Sequence, residues 1–128
     1  MSNLSKFNGA RVLVTGHTGF KGSWLSLCLR HLGAEVYGAS SDLPSVPAHF
    51  SVADLASQIH DHRIDIRDGT SINALVEKIQ PDFVFHLAAQ ALVRPAYANP
   101  TATWETNAMG TINILESLRY LNIPALQC

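Results

Sequence analysis

The stretch from Arg11 to Leu32, RVLVTGHTGFKGSWLSLCLRHL, leaves few folds open to this chain. Val12, Leu13 and Val14 form a continuous apolar run, as a strand covered on both faces of a parallel sheet requires. Gly16, Gly19 and Gly22 follow, and then Leu25, Cys28, Leu29 and Leu32 recur at helical spacing. Gly33 stands where a helix-ending glycine would. A strand, a glycine turn and a helix are therefore expected in that order, with a second strand from Glu35 to Ala39.

The glycines have a physical use in such a turn. Gly16 permits the sharp exit from the strand, Gly19 keeps side chains away from a bound anion, and Gly22 lets the helix lie close to the sheet. The free N–H groups and positive dipole end of the helix would then face a pyrophosphate. Lys21, slightly unfavourable in a helix's first turn by itself, is easier to understand beside an anion. The spacing is G-x-x-G-x-x-G, not the commoner G-x-G-x-x-G, and glycine turns of this kind also serve packing alone. The flanking strand and helix favour dinucleotide binding.

At 128 residues the chain has room for one domain, and 47% hydrophobic against 15% charged residues describes a globular core. A net charge of −1 offers no field for nucleic acid or an anionic membrane. Cys28 and Cys128 make neither a disulfide framework nor a metal spacing. The start of the chain has no apolar leader and no stretch reaches membrane-spanning length, so a cytoplasmic protein is expected.

Along the rest of the chain, Phe7 is the expected anchor of a short lead-in. Ser40 stands where an acidic residue usually meets the adenosine ribose, with Asp42 two residues on; ordinary turn chemistry before Pro44 is the alternative. No Lys or Arg lies between Arg30 and Arg63, which favours NAD over NADP. Residues 41–57 read as loop with a short helix over Val46 to Ala56. Ile59 to Ile66 alternates as a third strand, with His60 and His62 on one face; a metal site is conceivable, but exposed positions on an edge strand fit better. Asp65 and Ile66 lie at that strand's carboxyl end, placed to meet an adenine amino group and ring.

Asp68 reads as the N-cap of a helix carrying Ile72, Leu75, Val76 and Ile79, which Pro81 ends. Phe83 to Leu87 is a fourth strand running into Ala88, Ala89 and Gln90, small residues that admit a flat cofactor; His86 reads as a hydrogen-bonded core histidine. Ala91 to Asn99 reads as loop. From Pro100 a helix is expected to about Leu121, with one stripe through Trp104, Ala108, Ile112 and Leu115 and another through Ile114, Leu118 and Leu121. One stripe can face the sheet, and the other wants a partner such as a second copy. Asn107 is a candidate polar contact, and Gly110 implies close packing. Ile123 to Leu126 looks like the start of a fifth strand. Right-handed crossovers then give an α/β fold, a Rossmann-type parallel sheet in order 3-2-1-4 with helices on both faces.

Together these segments resemble the extended short-chain dehydrogenase/reductases that act on nucleotide sugars. The run from Gly16 to Leu25, GHTGFKGSWL, is most similar to the CDP-glucose 4,6-dehydratases among them. Asp65-Ile66-Arg67-Asp68, Phe85 to Gln90 with Val93-Arg94, and Thr106 to Thr111 match further family segments in order, so the resemblance covers nearly the whole chain. It implies a tightly held NAD that takes a hydride from C4 of the sugar and returns it at C6 after water is lost, and a CDP-4-keto-6-deoxyglucose product for bacterial surface polysaccharide.

Carried over by position, Gly16, Gly19, Phe20, Lys21 and Gly22 would meet pyrophosphate, and Thr18 and Leu87 would belong to the same cofactor site. Ser40 would meet ribose, Asp65 and Ile66 adenine, and Ala88, Ala89 and Gln90 the nicotinamide half, with Asn107 near the same region. Arg94 would face the substrate nucleotide. The family's Tyr-x-x-x-Lys pair is missing: Tyr37, Tyr97 and Tyr120 are followed four places on by Ser41, Thr101 and Pro124. No catalytic residue and no metal ligand is therefore named, and residues 1–128 are expected to be the NAD-binding part of a longer, oligomeric enzyme whose substrate domain lies outside them. An epimerase or reductase with the same cofactor half, or a non-catalytic NAD-binding module, are the competing readings.

Overall fold

Alternation within the first strand decides which residues meet on each side of the molecule. In the computed structural model, which describes residues 3–41, 53–90, 93–119, 121 and 125–127, strand β1 (Arg11–Thr15) is wholly buried after its first residue. Val12 and Val14 point to one face, where they pack with Phe7, Leu29 and Val36. Leu13 points to the other, where Ile72, Val76, Val84, Ile114 and Leu118 surround it. A strand apolar on both faces thus receives helices on both, as the continuous run Val12 to Val14 requires.

Strands β2 (Glu35–Ser40), β3 (His60–Arg63), β4 (Phe83–His86) and β5 (Ala125–Gln127) join β1 in one parallel sheet of order β3-β2-β1-β4-β5. The expected order is present, with the fifth strand beside the fourth. Register places Thr15 opposite Ala39 on one side and His86 on the other, so the carboxyl ends of β1, β2 and β4 form one row.

Helix α1 (Phe20–His31) covers the first face, and α2 (Gly69–Ile79) and α5 (Gly110–Leu118) cover the second. Gly33 follows α1 at φ +89, the left-handed position expected of a terminating glycine. The inward side of α1 differs from its apolar stripe. Gly22, Ser23, Ser26 and Leu29 are buried, Leu25 and Leu32 lie at the flank, and Cys28 is exposed. The small residues turn inward because Gly22 must lie against the backbone of Gly16, and Ser26 satisfies its hydroxyl on the Gly22 carbonyl at 2.7 Å.

Helix α2 matches its pattern residue for residue. Ile72, Leu75, Val76 and Ile79 are buried, and the Asp68 carboxylate accepts the Ser71 N–H at 3.2 Å as N-cap. Phe7 anchors the lead-in edge-on to Phe83, with ring centroids 5.0 Å apart. Two stretches differ from expectation. Within 91–99 a short helix α3 (Val93–Ala98) replaces loop, and the long last helix is divided into α4 (Pro100–Trp104), a π turn (Glu105–Met109) and α5. Ile114 and Leu118 face the sheet, whereas Trp104, Ile112 and Leu115 are exposed. Asp42 and most of the helix expected over 46–56 fall outside the described residues, which resume at Ala53; a turn there leads into a 3-10 helix at Leu55–Ser57.

Candidate functional site

The turn after β1 is built by backbone pressed on backbone. Gly16 takes φ +74, and its N–H donates to the Ala39 carbonyl at 2.9 Å. A Cβ on Gly16 would lie 2.7 Å from the Ala88 nitrogen, and one on Gly22 would lie 2.1 Å from the Gly16 oxygen. At Gly19 the only nearby atom is the Gly16 oxygen at 3.3 Å, so this glycine faces open space. Gly19 is also the N-cap of α1 and has no side chain with which to cap it. The leading N–H groups of α1 therefore have no side-chain cap where the positive end of its dipole emerges.

A cavity of about 320 Å³ opens at this point, over the carboxyl ends of the strands. Gly16, Thr18 and Gly19 form its wall from the first turn, and Ser40 from the end of β2. Thr18 and Ser40 join their hydroxyls at 2.7 Å. Asp65 and Ile66 contribute from beyond β3, and Leu87, Ala88 and Ala89 from beyond β4. Nine of the sequence-identified residues thus meet in one hollow: Gly16, Thr18, Gly19, Ser40, Asp65, Ile66, Leu87, Ala88 and Ala89.

The other five stand elsewhere. Phe20 is 73% exposed and Lys21 is exposed, both outside the wall, while Gly22 is buried beneath it. Asn107 and Gln90 bind each other: the Gln90 N–H donates to Asn107 Oδ1 at 2.6 Å, and Asn107 Nδ2 donates to the Gln90 carbonyl at 2.9 Å. The Asn107 amide thereby fixes the chain after β4, with Oδ1 and Nδ2 both engaged by the Gln90 backbone. Ile66 likewise sits mostly in the core, 4% exposed, against Gly110. Arg94 is exposed on α3 and lies outside the wall.

Four wall residues have no place among the sequence-identified set: Ser41, Ile64, Arg67 and Thr106. Arg67 matters most. Its guanidinium grips the Asp65 carboxylate, with Nε 2.9 Å from Oδ2 and 3.0 Å from Oδ1, and its own N–H donates to Oδ1 at 2.9 Å. That side-chain bond holds the Asp65 carboxyl below the usual carboxylate range, so it stays an acceptor. The run Asp65-Ile66-Arg67 contains the signal, since residues two apart beyond a strand can share one fork.

Two histidines brace the site from below. His17 is fully buried; its ring lies over Gly38, and Nε2 meets Asp61 Oδ1 at 2.6 Å, tying the first turn to β3. Burial lowers its pKa, against the pull of Asp61. Gly38 within a strand is the trace His17 leaves in the sequence, because a Cβ there would lie 2.3 Å from the ring. His86 is the hydrogen-bonded core histidine expected, 2.6 Å from Thr15 Oγ1. His60 and His62 lie on the edge strand, stacked on Tyr37 at 4.4 and 6.3 Å, and no metal-holding group occurs among the described residues. No helix among those residues is long and apolar enough to cross a membrane.

A parallel sheet of this order, clad by helices on both faces and open at its carboxyl ends beside a glycine turn, defines a Rossmann-type protein. The chain belongs to the GDP-mannose 4,6-dehydratase family, whose model matches residues 13–126. It is 46% identical over 127 residues to the CDP-glucose 4,6-dehydratase of Salmonella typhimurium, covering 98% of this chain and 35% of that protein. A GDP-mannose 4,6-dehydratase of Vibrio cholerae is 34% identical over 88% of this chain and 32% of its own length. Among solved structures, the UDP-glucose 4-epimerase of Thermotoga maritima with UDP-glucose superposes with a TM-score of 0.82 at 26% identity, covering 91% of this chain and 37% of that one. The UDP-glucose 4-epimerase of Thermus thermophilus in complex with NAD gives 0.77 at 30% identity, over 88% and 35%. The chain spans about a third of the length of these relatives.

Proposed function

We propose that the cavity holds NAD, and that the chain serves as the cofactor-binding domain of a nucleotide-sugar 4,6-dehydratase acting on CDP-glucose. One observation carries the cofactor reading: Gly19 both starts α1 and lines the hollow, so uncapped amides meet the ligand space at a residue without a side chain. The residues fit the group. A side chain at Gly19 would enter the open space a pyrophosphate needs, Asp65 remains an ionised acceptor for an adenine amino group, and Ala88 and Ala89 leave room for a flat ring. The Thr18–Ser40 hydroxyl pair suits a ribose diol. Arg67 is the one cation in the wall among the described residues, and Asp65 already holds it, which favours NAD over NADP.

When bound, NAD would accept a hydride from the sugar and give it back. This chain's part is to grip the two phosphates, orient the ring against the β4 end and keep the cofactor in place. The substrate reading rests on the likeness to the Salmonella CDP-glucose enzyme. The three tyrosines lack a lysine four places on, so the 128 residues are expected to bind NAD without turning over a sugar nucleotide.

Calorimetry tests the first part. NAD should bind, and NADP should bind at least about tenfold more weakly, as Asp65 already holds the one cation in the wall among the described residues. Absence of NAD binding overturns the cofactor reading. For the second part, a longer protein containing this chain should release a 4-keto-6-deoxy sugar nucleotide from CDP-glucose in preference to GDP-mannose. Interconversion of a UDP-sugar at C4 instead would make it an epimerase.

A further inference from the structure

Thr111 decides where the protons around His86 lie. A hydroxyl has one hydrogen, and Thr111 Oγ1 donates it to the Asn107 carbonyl at 2.6 Å. His86 Nε2, 3.0 Å from the same oxygen, must then be the donor of that pair. In a neutral ring this leaves Nδ1 as an acceptor, so Thr15 Oγ1 gives its hydrogen to Nδ1 at 2.6 Å. The remaining lone pairs of Thr15 Oγ1 face the Ala88 N–H at 3.2 Å and the Leu87 N–H at 3.1 Å, which the Thr15 carbonyl also accepts at 3.1 Å.

Only the neutral Nε2–H ring satisfies every member of this chain. The other tautomer would set a bare Nε2 against a Thr111 oxygen whose hydrogen is spent elsewhere. A protonated ring would take from the Thr15 hydroxyl hydrogen its Nδ1 acceptor and set two hydrogens against each other across 2.6 Å. Both ends of the segment 87–90 trace back to this ring. One runs through Thr15 to the Leu87 and Ala88 amides, the other through Thr111 to the turn whose Asn107 clamps Gln90. Leu87, Ala88 and Ala89, between the two, form one wall of the cavity.

We propose that His86, as the neutral Nε2–H tautomer, is a positioning residue that holds the 87–90 segment in its binding shape, and that protonating it weakens dinucleotide binding. The inference rests on the reading that the cavity binds NAD. Among the described residues, Thr15 of β1 and Thr111 of α5 are the side chains hydrogen-bonded to the ring, and Gln127 of β5 lies opposite it in register. Burial alone lowers its pKa from 6.5, so no charged side chain among the described residues perturbs it. The pKa values of His17 and His62 are also lowered by burial, so the signal of His86 itself must be followed.

The test uses the full chain with nitrogen-labelled histidine, nuclear magnetic resonance to follow His86, and calorimetry with NAD from about pH 7.5 down to the pH at which the His86 signal has titrated. At the upper end His86 should show a protonated Nε2 and a bare Nδ1. NAD affinity should fall about tenfold as that signal titrates, and the fall should shrink in His86→Gln. Thr111→Val, on a partly exposed helix position, should keep the fold by circular dichroism, lose the tautomer preference and bind NAD about fivefold more weakly near pH 7.5. Binding that stays flat while His86 titrates, a protonated Nδ1, or unaltered affinity in a folded Thr111→Val chain would each overturn the positioning role alone. Failure of the unaltered chain to bind NAD near pH 7.5 would remove the cofactor reading and this inference with it, whatever tautomer is seen.

Discussion

Gly19 and Gly22 stand in one turn, yet an added methyl group meets different surroundings at each. At Gly22 it would overlap the Gly16 carbonyl, which is backbone and cannot step aside. Gly22→Ala is therefore expected to destabilise the fold by about 2 kcal/mol or more, read from the urea midpoint. At Gly19 the methyl group clears everything but one oxygen at 3.3 Å and points into the hollow. Gly19→Ala should cost about 1 kcal/mol or less of stability, as a poorer N-cap, but weaken NAD binding about tenfold or more. A Gly19→Ala chain that binds NAD normally would show that the pyrophosphate lies elsewhere. The glycines were legible because only a missing side chain permits such approaches. The exposure of Phe20 and Lys21 was not, since the turn's backbone, and no periodicity, sets where the first helical side chains point. Nor could any local pattern reveal that the Asn107 amide is already engaged by Gln90.

Elements with one dominant signal came through intact, and those with competing signals did not. Helix α2 has an N-cap, four buried aliphatics at helical spacing and a proline just past its end, all in agreement. Pro95 makes the segment 91–99 read as loop, but that proline is the third residue of α3, where its missing N–H would have no partner in any case. The last helix has a regular apolar pattern that conceals the π turn at Glu105–Met109, because one wide turn shifts the phase of the residues after it without altering composition. Gly110, directly after that turn, is where the helix meets the site: a Cβ there would lie 2.5 Å from Ile66 Cδ1 and 2.7 Å from its Cγ1. Gly110→Ala gains about 1 kcal/mol in helix propensity. It must also push aside a β-branched side chain that is buried in the core and lines the cavity. The net result should be a loss of about 1 kcal/mol in thermal or urea unfolding, with weaker NAD binding. A more stable Gly110→Ala chain would mean that Ile66 moves freely.

At the scale of the whole molecule, sheet order followed from the sequence because right-handed crossovers leave little choice once strands and helices alternate. Burial, which no single segment displays, also places His17, His62 and His86 in surroundings that lower their pKa values from 6.5. The unfolded chain binds those protons more readily, so the stability they lend is complete above about pH 6.5 and is lost as pH falls through the depressed folded values. The melting temperature should accordingly drop between about pH 7 and about pH 5, before Asp65 and Asp68, held below 3.8 by Arg67 and Ser71, begin to protonate. A melting curve unchanged over that interval would contradict the burial of these rings. The surface away from the sheet poses a separate question. Trp104 at 73%, Met109 at 51%, Ile112 at 50% and Leu115 at 52% exposure lie along the last helical segments, and a net charge of −1 gives copies of the chain little reason to repel. Concentration-dependent association of the 128-residue chain is therefore expected in analytical ultracentrifugation. Paired Ile112→Glu and Leu115→Glu substitutions should suppress it while leaving the fold intact, because both side chains are half in water already. A single monomeric species at millimolar concentration, or association that survives both charges, would show that this face is not where copies meet.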